Sequence, residues 1–346
     1  MIPAHVAAAF DFQSKACSSL GSPFMGQLMR LCATMAWPEG RITERIFNWQ
    51  GDIGPRAQSV PLRLAGALHA LHLQRHARLA AVYPPHQPGD ATLWDAVADT
   101  LTSDSAFIDA FIDSAPQTNE VRRSAVLVAL GQVLAHHFPG PIRTSELGAS
   151  GGLNIHWDDY AVGINGQVFG AQRPVLTLGP DWTGDLPPKA QPVISAHAGV
   201  DLNPLDPSAP DDALRLQAYL WPDQPHRLEL TRAAMGAART KITQGDAIDW
   251  LRPRLVHQPG QMHLIYSTIA WQYFPETKQS EGEALIEAAG ETATDQAPLA
   301  WFGMENDGGT KGAALTLRFW PGNVRCKLGR ADFHGRWVNW INPPLS

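Results

Sequence analysis

The segment Ser145-Glu146-Leu147-Gly148-Ala149-Ser150-Gly151-Gly152-Leu153-Asn154 places a carboxylate, a nucleophile-type hydroxyl and several glycines side by side. The β-prone run Ile142 to Leu147 leads into it, and the glycine turn is expected to feed a helix. Gly148 and Gly152 remove side chains where a ligand would pack, and exposed N–H groups of such a turn favour a carboxylate or phosphate. Glu146 at the strand end does not attract a phosphate; it suits a cationic or hydroxyl-bearing ligand, such as an ammonium group, through a charge-assisted hydrogen bond. The same residues also satisfy G-x-S-x-G, the nucleophile elbow of α/β-hydrolases, with Ser150 as nucleophile and His334 as base. Several strands precede the elbow in that fold, whereas the chain before Ile142 reads as helical. A dinucleotide-binding turn requires G-x-G-x-x-G, and Ser150 stands where its second glycine belongs.

Other candidates lie elsewhere. His69, His72 and His76 share a helical face at i, i+3 and i+7, a spacing that can present imidazoles to a metal. No carboxylate sits among them, and a partly solvated histidine face is the plainer reading, so no metal is expected. Glu120, Arg122 and Arg123 follow a Thr118-Asn119 cap and lie just ahead of the first strand, near the mouth of a ligand site. In Asp332-Phe333-His334-Gly335-Arg336, His334 brings an imidazole, the side chain type suited near neutral pH to proton removal from an attacking hydroxyl or amine. Glu305 begins a polar loop after a predicted strand, where ligands meet open α/β sheets. Trp271 and Tyr273 offer aromatic surface for stacking or for the core.

These residues need a scaffold, and the chain reads in two parts. Residues 1 to about 138 carry helical periodicity broken by Gly21-Ser22-Pro23, Trp37-Pro38-Glu39-Gly40, Gly51-Asp52-Ile53-Gly54-Pro55 and Tyr83-Pro84-Pro85. Leu64, Leu68 and Leu71 line one helix face, and a second strong helix runs through Val126, Leu130, Val133 and Leu134. From Ile142, strand candidates at Pro192 to Ala198, Lys241 to Thr243, Met262 to Ser267 and Leu299 to Met304 alternate with helix candidates at Ala213 to Tyr219, His226 to Thr240 and Glu281 to Ala289. That alternation builds a parallel sheet covered by helices. Ala313 to Trp320 and Val324 to Leu328, joined by Pro321-Gly322-Asn323, form a closing antiparallel hairpin. The Gly- and Pro-rich stretch at about 160–190, with the Asn165-Gly166 turn signal, reads as a small β insertion. The expected division is an all-helical domain over 1–115 and an α/β domain over 116–346.

Composition narrows the function. At 346 residues, 44% hydrophobic and 17% charged, the chain has ample material for a core, which excludes disordered and fibrous classes. Its 27 Lys and Arg against 33 Asp and Glu give a charge of −6, so no basic field gathers nucleic acid. No membrane span or basic leader is legible, and Cys17, Cys32 and Cys326 suggest neither a disulfide framework nor a thiolate metal cage. A cytoplasmic location is expected. Oligomeric state is not legible.

Glu146-x-Gly148-x-Ser150-x-Gly152 resembles motif I of class I S-adenosylmethionine-dependent methyltransferases, with Ser150 where a glycine is common. Asp201 in Gly199-Val200-Asp201-Leu202-Asn203-Pro204 resembles the acid that ends the second strand and accepts from the ribose hydroxyls. Asp246 in Gly245-Asp246-Ala247 is similar to the acid near the adenine amino group. His263 to Ser267 and the following Thr268-Ile269-Ala270-Trp271-Gln272-Tyr273 resemble the fourth strand and its loop, which face the donor methyl and the acceptor. More narrowly, Gly21-Ser22-Pro23, Leu68-His69-Ala70-Leu71, Gln117-Thr118-Asn119-Glu120-Val121, Gly152-Leu153-Asn154, Asp201-Leu202-Asn203-Pro204 and His334-Gly335 resemble the bacterial family called domain of unknown function 2332.

The resemblance implies a Rossmann-like class I methyltransferase sheet, S-adenosylmethionine as cofactor and a small-molecule acceptor. It implies a cofactor site of Glu146, Gly148, Ser150, Gly152, Asn154, Asp201, Asp246 and Ser267. Trp271, Glu120 and Glu305 would meet substrate, His334 and Tyr273 would serve catalysis, and the helical domain would form part of the acceptor pocket. Glu146 and Asp201 stand further apart than the roughly twenty residues usual in related units, an excess assigned to the β insertion. Asp158 or Asp159 is otherwise the ribose acid. An inactive nucleotide-binding or regulatory module and a Ser150 hydrolase remain the alternatives.

Overall fold

The computed structural model describes residues 1–55, 57–309 and 311–345. They form two compact units, one of Met1–Thr118 with Ala209–Glu229, the other of Asn119–Ser208 with Leu230–Ser346.

The first unit is helical: α1 (Ala4–Ser19), α2 (Pro23–Thr34), α3 (Arg41–Phe47), α4 (Val60–Leu73), α5 (Ala77–Ala80), α6 (Asp90–Ser103) and α7 (Ser105–Phe111). Ser22 caps α2 by accepting from the Met25 amide at 3.3 Å, and Pro23 supplies a first-turn residue with no N–H to satisfy. The leucine face of α4 packs inward as its spacing requires, but burial extends round the helix to Arg63. That guanidinium is accommodated because it donates to the Gln58, Ile112 and Asp113 carbonyls.

The second unit opens with a 3-10 turn (Val121–Arg123) and α8 (Ser124–His137). Its strands are β1 (Ile142–Leu147), β2 (Ala161–Ile164), β3 (Gln167–Gly170), β4 (Thr177–Leu178), β5 (Asp181–Gly184), β6 (Ile194–Asp201), β7 (Thr243–Gln244), β8 (Met262–Thr268), β9 (Leu299–Glu305), β10 (Ala313–Trp320), β11 (Val324–Ala331) and β12 (Trp337–Trp340). The large sheet runs β5-β12-β11-β10-β9-β8-β1-β6-β7, parallel from β9 to β7 and antiparallel through β9, β10, β11 and β12. Of the remaining helices, α9 (Pro210–Ala218) belongs to the first unit, α10 (Pro225–Ala237) begins in the first and continues in the second, and α11 (Ala247–Leu251) and α12 (Glu276–Glu291) lie in the connections between the parallel strands of the second.

Central strands of a parallel sheet are covered on both faces, and every residue of β8 is accordingly buried. Met262, Leu264 and Tyr266 join Val126, Leu130 and Leu134 of α8 in one core, while Ile265, with Leu147 and Val200, meets Ile248 of α11 and Ile286 of α12 in another.

The expected insertion is real and holds a small sheet, β3-β2-β4. Asn165 and Gly166 both have positive φ, 49° and 77°, as the tight turn between β2 and β3 demands. Two strands lie outside the pattern expected from sequence: β12, and β5, which leaves the insertion to pair in parallel with β12 at the far edge of the large sheet. Among the described residues no helix is long and apolar enough to cross a membrane.

Candidate functional site

Connections from β1 depart to β6 on one side and the sheet continues through β8 on the other, which makes the carboxyl ends of β1 and β8 a topological switch point, where open α/β sheets bind ligands. Glu146 lies at the end of β1, Asp201 ends β6, Asp246 follows β7, Ser267 lies near the end of β8 and Glu305 ends β9. Parallel pairing therefore brings these residues to one sheet edge. Because β11 runs in the same direction as β9, the loop holding His334 lies on that edge too. Arg123 ties it in, its Nη1 donating to the Thr268 carbonyl at 3.1 Å and its Nε to the Phe333 carbonyl at 2.9 Å.

Glu146 is 1% exposed. Burial pushes its carboxyl up to about 8, with Asp201 adding to the rise and Tyr266 and Arg123 opposing it. The Tyr266 hydroxyl is 3.4 Å from Glu146 Oε2 and equally far from the Asn154 carbonyl, so one weak donor serves two acceptors. Asp201 accepts from the Ser150 amide at 2.8 Å and the Asn203 amide at 2.9 Å. Asp246 caps α11 by accepting from the Ile248 and Asp249 amides. Burial works against ionisation there, but those amides and Lys278, 3.3 Å away, keep its carboxyl below the ordinary range.

The glycine turn departs from its sequence reading. No helix follows it: the chain makes successive turns to a 3-10 turn at Trp157–Asp159. Trp157 sits beneath Gly131, where an added Cβ would lie 2.3 Å from the indole, and the Tyr160 hydroxyl donates to the Leu153 carbonyl at 2.6 Å. These anchors hold the irregular path. Nor is the turn an anion cradle: the amides of Gly148 and Ala149 donate to the Val200 carbonyl, that of Gly152 to Ala149, and that of Leu153 to Asn119 Oδ1. Gly148, at φ +74°, makes room for Ala270, and Gly152, at φ +69°, for Ile242; the space belongs to protein, not ligand. Ser150 takes φ +53°, a conformation glycine adopts freely, and its buried Oγ has no hydrogen-bond partner.

Several residues expected to contact ligands make hydrogen bonds within the fold. Asn154 is fully buried, accepting from Ser124 Oγ at 2.7 Å and donating to the Glu120 carbonyl. Asn119 takes the Leu153 amide, so the helical start is capped instead by Glu120, which accepts from the Arg122 amide and pairs with its guanidinium at 3.0 Å. Glu305 accepts from Ser267 Oγ at 2.8 Å and from the amides of Ala270, Trp271 and Gln272. Burial raises its carboxyl against those donors. Trp271 packs into the core with Phe274 and Trp301, whereas Tyr273, 72% exposed, stands in solvent. His69 and His72 stack on each other 5.8 Å apart and both lie against the Tyr83 ring, with His69 Nδ1 3.1 Å from the Ala218 carbonyl, whereas His76 pairs with Asp104.

One cluster escaped the sequence reading. His197 on β6 places Nε2 2.8 Å from Asp158 Oδ1, and the rings of His197 and His156 lie 4.4 Å apart. The signal was weak, because His156-x-Asp158 and His197 meet only when β6 pairs with β1 in the register Thr144 to His197. Asp159 pairs with Arg239 at 2.6 Å. Asp158 and Asp159 are thus engaged away from the end of β6, where Asp201 stands.

The model of a family described as an uncharacterised protein conserved in bacteria, DUF2332, matches residues 7–340. The chain belongs to that family. The match spans both units of this DUF2332 protein. No curated protein and no solved structure matches the chain.

Proposed function

We propose that this DUF2332 protein is an S-adenosylmethionine-dependent methyltransferase acting on a small-molecule acceptor. One observation carries the reading: the β7-β6-β1-β8 order sets Glu146, Asp201 and Asp246 together at the carboxyl edge beside the switch point. An edge of carboxyl groups suits a ligand rich in hydroxyl and amino donors. S-adenosylmethionine, when bound, supplies an electrophilic methyl group on a sulfonium. Asp201 would accept from the ribose hydroxyls and Asp246 would face the adenine amino group, the roles that the motif resemblance gives them. The remaining task is to position the acceptor and exclude water, with His334 removing a proton where the nucleophile carries one.

A second reading, a nucleotide-binding module without turnover, is favoured by a specific observation: Asn154, Glu305 and most amides of the turn are consumed within the fold. The Ser150 hydrolase is disfavoured because Ser150 Oγ has no hydrogen-bond partner, so no imidazole holds it.

Calorimetric titration with S-adenosylmethionine and S-adenosylhomocysteine tests the reading, with Glu146→Gln and Asp201→Asn alongside. Binding by the wild type, weakened about tenfold or more in both folded variants, is the expected result; each tenfold corresponds to ~1.4 kcal/mol. Absence of binding by the folded wild type would overturn it. Binding without methyl transfer across a panel of small acceptors would favour the second reading.

A further inference from the structure

We propose that His156, Asp158 and His197 form a binding site for a divalent transition metal of the zinc type. One donor atom from each side chain lies within 4.8 Å of the other two. His156 and Asp158 flank Trp157, whose burial beneath Gly131 fixes their backbone, and His197 is held by the pairing of β6 with β1.

The decisive observation concerns His156. It is 3% exposed, its Nε2 lies 2.9 Å from Thr240 Oγ1, and its Nδ1 is buried with no hydrogen-bond partner. Buried polar atoms are rarely left unsatisfied. When Nε2–H donates to Thr240 Oγ1, the imidazole is the tautomer with a lone pair on Nδ1, and an outer hydrogen bond of this kind orients metal-binding imidazoles. An Asp158–His197 hydrogen bond alone would give that lone pair nothing to do. A metal engages all three side chains.

The donors name the metal class. Two imidazoles and a carboxylate suit zinc, cobalt, nickel or iron(II), whereas calcium and magnesium prefer all-oxygen sites and copper(I) prefers sulfur. Metal–ligand bonds of ~2.1 Å in a tetrahedral site set neighbouring donors roughly 3.4 Å apart, so the 2.8 Å separation of Asp158 and His197 would open slightly on binding. The Asp158 and His197 side chains are 17% and 14% exposed, which gives an ion access and leaves room for water as a further ligand. The proposal is independent of the methyltransferase reading.

The test uses full-length protein without a histidine tag, stripped with chelator and titrated with zinc by calorimetry and with cobalt(II) by visible absorption. One zinc per chain, a cobalt d–d band typical of four- or five-coordination and a raised thermal midpoint are expected. His197→Ala and Asp158→Asn should each weaken zinc by at least tenfold and remove the band. Should His197→Ala fail to fold by circular dichroism, the near-isosteric Asp158→Asn decides. No binding by the wild type would overturn the proposal. So would zinc binding unchanged in the folded variants, which would place the ion elsewhere, for example at the adjacent His136 and His137, and leave an Asp–His hydrogen bond only.

Discussion

The Ser150 amide donates to Asp201 Oδ2 at 2.8 Å, joining the left-handed residue of the turn after β1 to the last residue of β6. Asp201 therefore supports the turn as well as facing the candidate site. Asp201→Ala leaves the Ser150 and Asn203 amides without this acceptor and should cost about 1 to 3 kcal/mol, measured by urea denaturation. Asp201→Asn, which retains one carbonyl oxygen, should cost less. A ligand-binding loss in Asp201→Asn with stability nearly intact would separate recognition from support.

Glu146 predicts a pH dependence with a definite sign. Its carboxyl has an ordinary value of 4.5 and rises to about 8 in the fold, so folding favours the protonated form. That contribution is fully present below 4.5 and is lost as pH rises through 8. Glu146→Gln removes the cost of charging a buried carboxylate. Relative to wild type it should gain stability between those limits, on the order of a few kcal/mol by pH 9, and little at pH 4. Denaturant midpoints at the two pH values check this.

Backbone conformation separates Ser150 from Gly148. Ser150→Gly relieves a left-handed serine and frees no hydrogen-bond partner, so a stabilisation of about 0.5 to 1 kcal/mol is expected. Gly148→Ala combines φ +74° with a Cβ 2.4 Å from that of Ala270, and should cost about 2 kcal/mol or more. Thermal melts of the pair distinguish them by sign.

Glu305 is expected to act through the loop after β8. Glu305→Ala leaves the Ala270, Trp271 and Gln272 amides without their carboxylate acceptor. Hydrogen exchange there should accelerate well beyond any change in the first residues of β8. Uniform acceleration across the sheet would mean that the fold as a whole had loosened.

The parallel strands and closing hairpin were legible because β-prone runs alternate with helical periodicity, and because Asn165-Gly166 and Pro321-Gly322-Asn323 carry turn chemistry. β5 was not legible: Asp181 to Gly184 lies among glycines and prolines, and its partner strand stands some 155 positions further on. Glu146, Asp201 and Asp246 were readable as strand-end acids. The glycine turn misled because the motif cannot reveal that Val200, Ala149 and Asn119 take its amides. His156, Asp158 and His197 were invisible until strand register joined them.

The pairing of β5 with β12 has a consequence for synthesis. Thr183 and Val338 stand 155 positions apart, yet Thr183 Oγ1 lies 3.4 Å from the Val338 carbonyl. A ribosome releases β5 long before its partner exists, so one edge of the large sheet must wait until β12 has been made. Non-local closure of this kind slows folding and exposes unpaired strand in the interval. Nascent chains stopped short of Trp337 should resist protease over β1 and β8 but not over β5, and β12 would act as the latch of the assembled sheet.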